Sequence, residues 1–320
     1  MRSLAPLIIL LLAATTARSE TAITWSADAS LTQSVATEND SGVQTLLEIL
    51  PAIDINVSRK TKIVTSARIR LDNNDRIEPG APGYGNYWVG SQPQRLGNVG
   101  SLELRDAYAQ FVIPRGILRL GKQQIVWGKM DGIKILDVIN PQDFRYFIAE
   151  AFSESRVTLW SAYADISLGS WRTELAVVPD STGHVIPDPG AWFELRAPRF
   201  RFGAERSEPA IPVVTEEPSR SLDDTGFGLR ISRSMGSMTL SAVAFSGRDP
   251  EPIGKLVVDN SGPALLRTLE RRETFGLSAD VSLGAVVARI EYAHHPRRWF
   301  NVRGQEGLDR SRRDQSRAAI

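Results

Sequence analysis

Trp160-Ser-Ala-Tyr-Ala-Asp-Ile-Ser-Leu168, then Gly169-Ser170, then Trp171-Arg-Thr-Glu-Leu-Ala-Val177: two segments joined by a two-residue turn. In the first, Trp160, Ala162, Ala164, Ile166 and Leu168 alternate with Ser161, Tyr163, Asp165 and Ser167; in the second, Trp171, Thr173, Leu175 and Val177 alternate with Arg172 and Glu174. Successive side chains of a strand point to opposite faces, whereas a helix would mix these two sets around its axis. The stretch reads as a β-hairpin with one apolar and one polar face.

Working outward, the period of two recurs from Ile63 to Leu71, from Phe227 to Arg233 and Met238 to Gly247, and from Phe275 to Leu283 and Val286 to Tyr292. The links between segments alternate in length. Short ones lie at Ser58 to Thr61, Pro114 to Gly116, Gly169-Ser170, Ser234 to Gly236 and Gly284; long ones lie at Asp72 to Gly100, Ile125 to Val157, Pro179 to Thr225 and Arg248 to Glu273, and Thr32 to Gly42 belongs to the long set. Outer-membrane barrels have short periplasmic turns and longer external loops. The expectation is therefore an all-β fold, an antiparallel up-and-down transmembrane β-barrel with its long loops outside. Strand Ile23 to Leu31 followed by five hairpins makes eleven strands when Trp192 to Phe202 is counted as loop. Single-chain barrels normally close with an even number, so either Trp192 to Phe202 contributes an odd strand and breaks the alternation of loop lengths or, the preferred reading, the chain lacks at least one strand at its C-terminus. Residues 297–320 carry seven arginines against three acids without alternation, and read as a basic, disordered tail.

The N-terminus gives a destination. Arg2, the apolar run Leu4 to Ala14 interrupted by Pro6, and the small residues of Ala17-Arg18-Ser19 read as a signal peptide spanning 1–19, which leaves 20–296 as the barrel. At roughly a dozen residues the run is shorter than the ~20 a spanning helix needs. With no cysteine, disulfides, thiol catalysis and cysteine-ligated metals are excluded. Lys+Arg 38 against Asp+Glu 37 gives no support for a nucleic-acid partner. Mean hydropathy of -0.18 is uninformative, because a barrel shows lipid only alternate residues.

After the strand pair Leu102 to Phe111 and Leu118 to Gly128 the alternation stops. Asn140 as cap, Pro141 at the first position, Asp143 in the first turn, and Phe144, Phe147, Ile148 and Ala151 at i, i+3, i+4 and i+7 predict one short amphipathic helix inside a long external loop. Leu-Arg-Asp-Ala-Tyr (104–108) followed by Leu120-Gly-Lys-Gln-Gln-Ile-Val-Trp-Gly-Lys-Met-Asp-Gly-Ile-Lys-Ile-Leu-Asp-Val-Ile-Asn-Pro-Gln-Asp143 resembles the signature of an uncharacterised family of Proteobacterial outer-membrane proteins with porin-like barrels. The resemblance implies an outer-membrane barrel passing hydrophobic or small polar compounds, with no catalytic residues to carry over. Members of that family are longer than this chain, in keeping with the missing strand.

Folded inward, the loop would present Lys129, Asp131, Lys134, Asp137, Asn140, Asp143 and Arg145 to a solute; the other reading is an external cap with solvated charges. If the apolar residues face lipid, then Arg68, Arg70, Asp106, Tyr108, Gln110, Asp165, Arg172, Glu174, Arg230, Asp280, Arg289 and Glu291 face the lumen. Trp25, Trp160, Trp171, Phe227, Phe275 and Tyr292 are placed as interface-girdle residues. His184, His294 and His295 read as surface histidines, and no phosphate loop or dinucleotide motif follows a strand. The reading is a passive channel in the bacterial outer membrane with no enzyme activity, cofactor or metal. Its partners are the bilayer and a small solute, with a homo-oligomer or export-system partner also open. The alternatives are a non-conducting accessory barrel of an export system and, less favoured, an outer-membrane hydrolase.

Overall fold

A computed structural model describes residues 7–10, 15–18, 21–35, 43–80, 84–130, 132–147, 150–151, 153–188, 190–194, 213–216, 224–259, 262–304 and 307–320. Its strands are β1 (Leu7–Leu10), β2 (Thr15–Arg18), β3 (Thr21–Val35), β4 (Val43–Ser58), β5 (Thr61–Asp72), β6 (Gln94–Arg95), β7 (Gly100–Ile113), β8 (Gly116–Gln123) and β9 (Leu159–Leu168). They continue as β10 (Trp171–Val178), β11 (Val213–Thr215), β12 (Gly226–Met235), β13 (Met238–Arg248), β14 (Ile253–Asp259), β15 (Gly262–Thr268), β16 (Arg271–Leu283), β17 (Val286–Gly304) and β18 (Gly307–Ala319).

The protein is all-β. One large sheet runs β1-β3-β4-β5-β7-β8-β9-β10-β12-β13-β16-β17-β18, with β2 beside β3 and β6 beside β7. Every pairing in it is antiparallel and each long strand pairs with the next long strand in the chain, across short turns and long connections alike. The central hairpin has the register read from its sequence, with Trp171 opposite Leu168 and Val177 opposite Ala162. A small sheet, β11-β15-β14, is built from two of the long connections. Among the described residues the large sheet is not closed: β18 forms one edge, and β1 and β2 flank β3 at the other.

Two expectations are corrected. Residues 140–151 form no helix among the described positions: Gln142 bridges Arg156, Asp143 bridges Val185, and Phe147 has a φ of 53°. Asp143 N donates to Ser155 O at 2.7 Å and Phe144 N to Val185 O at 2.8 Å, so these amides pair with other segments instead of with the preceding turn. A helix this short has little stability of its own, and the side chains taken inward are Arg145 and Tyr146 while Phe147 is exposed. The second correction concerns 297–320, which end β17 and form β18 instead of a disordered tail. Acids from a distant connection make this possible: Arg298 Nε meets Asp249 Oδ2 at 2.5 Å and Arg310 Nη1 meets Glu270 Oε1 at 2.8 Å. Of the segment Trp192 to Phe202, residues 192–194 are not strand, and 195–202 lie outside the described residues.

The core lies on the inner face of the sheet and is completed by the β8–β9 connection. Trp127 and Leu136 from that connection pack with Leu159 and Tyr163 of β9, Val178 of β10, Val243 and Phe245 of β13 and Ala293 of β17. A flat sheet at ~4.8 Å per strand would set β5 and β17 about 38 Å apart. Yet Leu136 N bonds Glu291 of β17 at 3.1 Å, and Asp143, seven residues on through two bends, meets Arg70 of β5 at 3.3 Å. The sheet is therefore curled around this loop. Glycines make room for it: a Cβ on Gly228 would stand 2.5 Å from Trp127 Cη2, and one on Gly276 would stand 2.2 Å from Leu136 Cδ2 and 2.9 Å from Tyr292 O.

Gly276→Val is expected to destabilise the protein by about 1–3 kcal/mol through overpacking, read as a lowered denaturant midpoint. Adding Leu136→Ala should recover part of that loss, and no recovery would mean that Leu136 is not what the valine meets.

Candidate functional site

The inner surface carries a buried charge network formed where the loop meets the wall. Arg68 Nη2 bonds Glu103 Oε2 at 2.8 Å across β5 and β7, and Arg70 Nε bonds Glu48 Oε2 at 2.7 Å across β5 and β4. From the loop, Asp143 accepts Arg145 Nη2 at 2.6 Å and Arg70 Nη1 at 3.3 Å, and lies 3.5 Å from Arg68 Nη2. Arg70 also pairs with Glu150, and Arg145 with Glu78. Arg105 donates to the loop carbonyls of Arg156 at 2.8 Å and Ser153 at 3.0 Å. The cluster is deeply buried, with Arg68 and Asp143 each 1% exposed. Burial works against a charged Asp143, but Arg145, its hydrogen bonds, and then Arg70 and Arg68 outweigh it and hold this carboxyl well below its ordinary range.

A second anchorage lies on β16 and β17. Glu291 accepts two loop amides, Lys129 N at 2.5 Å and Leu136 N at 3.1 Å, while Lys129 Nζ pairs with Asp280. Arg272 Nη2 of β16 reaches Val138 O at 2.9 Å. The neck is clasped by Asn140, whose Oδ1 accepts Ile125 N at 2.8 Å and whose Nδ2 donates to Val157 O at 2.7 Å. Asn140 thus closes a loop instead of capping a helix. Asp137 accepts Arg156 Nε at 2.6 Å and Lys134 donates to Ser155 Oγ at 3.2 Å, both within the loop. Asp131 lies outside the described residues.

Residues expected on the polar face occupy one face. Arg68, Arg70, Glu174, Arg230 and Glu291 are buried there; Asp106, Tyr108, Gln110, Asp165, Asp280 and Arg289 are half-buried. Arg172 is exposed near a short turn and paired with Asp165 at 2.7 Å. Glu174 accepts the Tyr163 hydroxyl at 2.6 Å and lies 3.4 Å from Arg230. Burial is concentrated toward the long-loop end, and polar pairs such as Lys62–Asp54 (2.8 Å) line the more open short-turn end. A cavity of about 310 Å³ remains beside β3 and β4, lined by Asp28, Ala29, Ser30, Glu48 and Leu50.

Sequence reasoning missed Glu103 and Arg105 because strict alternation fails in β7. Ser66 faces Asp106 but Ala67 faces Leu104, so Arg105 is the extra residue of a β-bulge, and Ser101, Glu103 and Arg105 are buried beside Asp106 and Tyr108. Glu48, Glu78, Glu150 and Glu154 were also missed, since nothing local marks which loop acid meets a wall arginine. Two histidines are not on the surface. His184 is half-buried, accepts Gln142 N on Nδ1 at 2.8 Å and packs edge-on against Phe144 at 5.2 Å; His295 is buried against Thr274 at 2.9 Å. Among the described residues no three acids or histidines converge on a metal position.

The family described as a protein of unknown function, DUF1302, matches residues 70–316. The chain belongs to this family. The DUF1302 region takes in the whole β8–β9 loop together with Arg70, Glu103 and Glu291, the wall residues that anchor it. No curated protein matches the chain.

His184 ties the β8–β9 loop to the connection after β10, and burial, then repulsion from Arg272, Arg298 and Lys134, push its imidazole down to about 3. Between that value and the ordinary ~6.5 the unfolded chain binds the extra proton. Its contribution is therefore fully present above pH ~6.5 and falls as the pH drops toward 3. Stability of the wild type should decline over that window more steeply than that of His184→Gln, as measured by denaturant midpoints; parallel curves would exclude His184 as the source. Asp143→Ala should cost about 3–5 kcal/mol, because it strands Arg68, Arg70 and Arg145 without a shared counter-charge.

Proposed function

We propose that this chain is an outer-membrane β-barrel that passes small solutes along a passage narrowed by its β8–β9 loop. The observation that carries the reading is the pairing of a continuous apolar outer surface with an inner surface fitted to a charged loop. Outward-facing Ile23 and Trp25 of β3, Leu175 and Val177 of β10, Phe227, Leu229 and Ile231 of β12, and Phe275 and Leu277 of β16 are all exposed. A soluble monomer seldom leaves a patch of that extent uncovered, whereas hydrocarbon covers it without cost. The inward charges would be expensive on the same surface, at about 2–4 kcal/mol for each Arg or Lys at mid-depth.

In this reading the large sheet rolls up until its edges pair, so that no unpaired backbone meets lipid. Trp25 and Trp171 lie toward the short-turn rim and Trp160, Phe227, Phe275 and Tyr292 toward the long-loop rim, where amphipathic rings are favoured. The solute would travel beside the loop along the cavity at β3 and β4, with the mixed charges of the inner face giving orientation more than strong ion selectivity. A second reading, a non-conducting accessory barrel, is favoured by the dry cluster around Trp127 and Leu136, which fills the centre of the trough.

Single-channel recording in planar bilayers separates the two: discrete steps that grow on deleting residues 129–149 support the constricted channel, and silence in both forms supports the accessory barrel. Ala164→Arg or Ala242→Arg should impair bilayer insertion and heat-modifiable gel mobility, while Arg172→Ala should not. The reverse ranking would mean that the faces have been assigned backwards.

A further inference from the structure

We infer that the outward side of the β17–β18 ribbon, above the apolar band, is a contact surface for the phosphorylated saccharide headgroup of an outer-leaflet glycolipid; this rests on the membrane reading proposed above. Up the outward side of β17 come Ile290 and Tyr292, both exposed, then His294 bonded to Ser316 at 3.1 Å, then Trp299. Arg312 stands opposite Trp299, and Arg310 opposite Asn301. The two guanidinium carbons lie over the Trp299 ring at 4.5 and 4.8 Å.

Above Ala318 the outward residues of β18 are Ser316, Asp314, Arg312 and Arg310, without the apolar residues that the other strands carry there. This ribbon therefore does not sit in hydrocarbon. Arg310 holds Glu270 at 2.8 Å, whereas Arg312 is exposed and has no carboxylate partner among the described residues. A guanidinium fixed on an indole face presents its N–H fork already oriented, the geometry that phosphate oxygens accept in pairs.

Height selects the ligand. Tyr292 pairs with Ala318, and Arg312 lies six residues farther up the ribbon, about 20 Å along the strand and about 14 Å in height at a ~45° tilt. A phospholipid headgroup layer is only about 5–8 Å deep. A phosphate at the level of Arg312 must belong to a larger headgroup, which points to a phosphorylated glycolipid.

The test uses the full chain, first shown to be heat-modifiable in detergent, titrated with lipopolysaccharide, with the same lipopolysaccharide after enzymatic dephosphorylation, and with phosphatidylglycerol vesicles. Binding to the phosphorylated form should be about tenfold tighter than to the dephosphorylated form, and R310Q/R312Q should abolish that difference. If the double variant fails to fold, R312Q alone should lower the preference, since Arg312 holds no carboxylate. Equal binding of the two glycolipid forms, an unchanged variant, or equally tight binding to phosphatidylglycerol would overturn the inference. A chain that never enters detergent micelles would instead overturn the membrane reading beneath it.

Discussion

A β-strand cannot choose which of its neighbouring side chains share a face, and this alternation governs the molecule. Once Phe275 and Leu277 point one way, Thr274, Gly276 and Ser278 must point the other. The same rule on twelve long strands, β3 to β18 without the short β6, β11, β14 and β15, yields one surface of exposed apolar side chains and one of polar residues, glycines and the buried apolar residues that pack on the loop. The exceptions are informative. At the bulge in β7 an extra residue keeps Arg105 and Asp106 on the same side, and this irregularity delivers Glu103 and Arg105 to the loop.

The loop converts a two-faced sheet into a packed object. It uses two kinds of contact, apolar packing over the glycines of β12 and β16 and ion pairs against β5 and β7, and it bonds backbone amides to Glu291 on the far wall. Buried ion pairs stabilise little on balance, because desolvation offsets attraction. Their value here is in specifying position: Asp143 satisfies three arginines at one point only, whereas the Trp127 and Leu136 side chains would tolerate small shifts.

Much of the wall was legible. The hairpins, the turns at Gly169 and Gly236 and the polar face from Arg68 to Glu291 follow from local period and turn residues. The helix over 140–151 was misread because its apolar spacing is also what a bent segment needs when Tyr146 is drawn toward Arg70 on β5 and Arg145 toward Glu103 on β7. The arginine-rich end was misread for a related reason: its charge excess is real within 297–320, but the balancing Asp249 and Glu270 lie far back in the chain.

The sequence by itself determined that the chain is all-β, where it turns, and which side chains of each regular strand keep company, because those properties depend on neighbours within a few residues. Tertiary structure alone decided that the loop folds inward, which acids meet Arg68, Arg70 and Arg145, that β7 carries a bulge, and that β18 docks. Each of those depends on contacts between segments tens to hundreds of residues apart, and for such contacts no local period or turn signal exists.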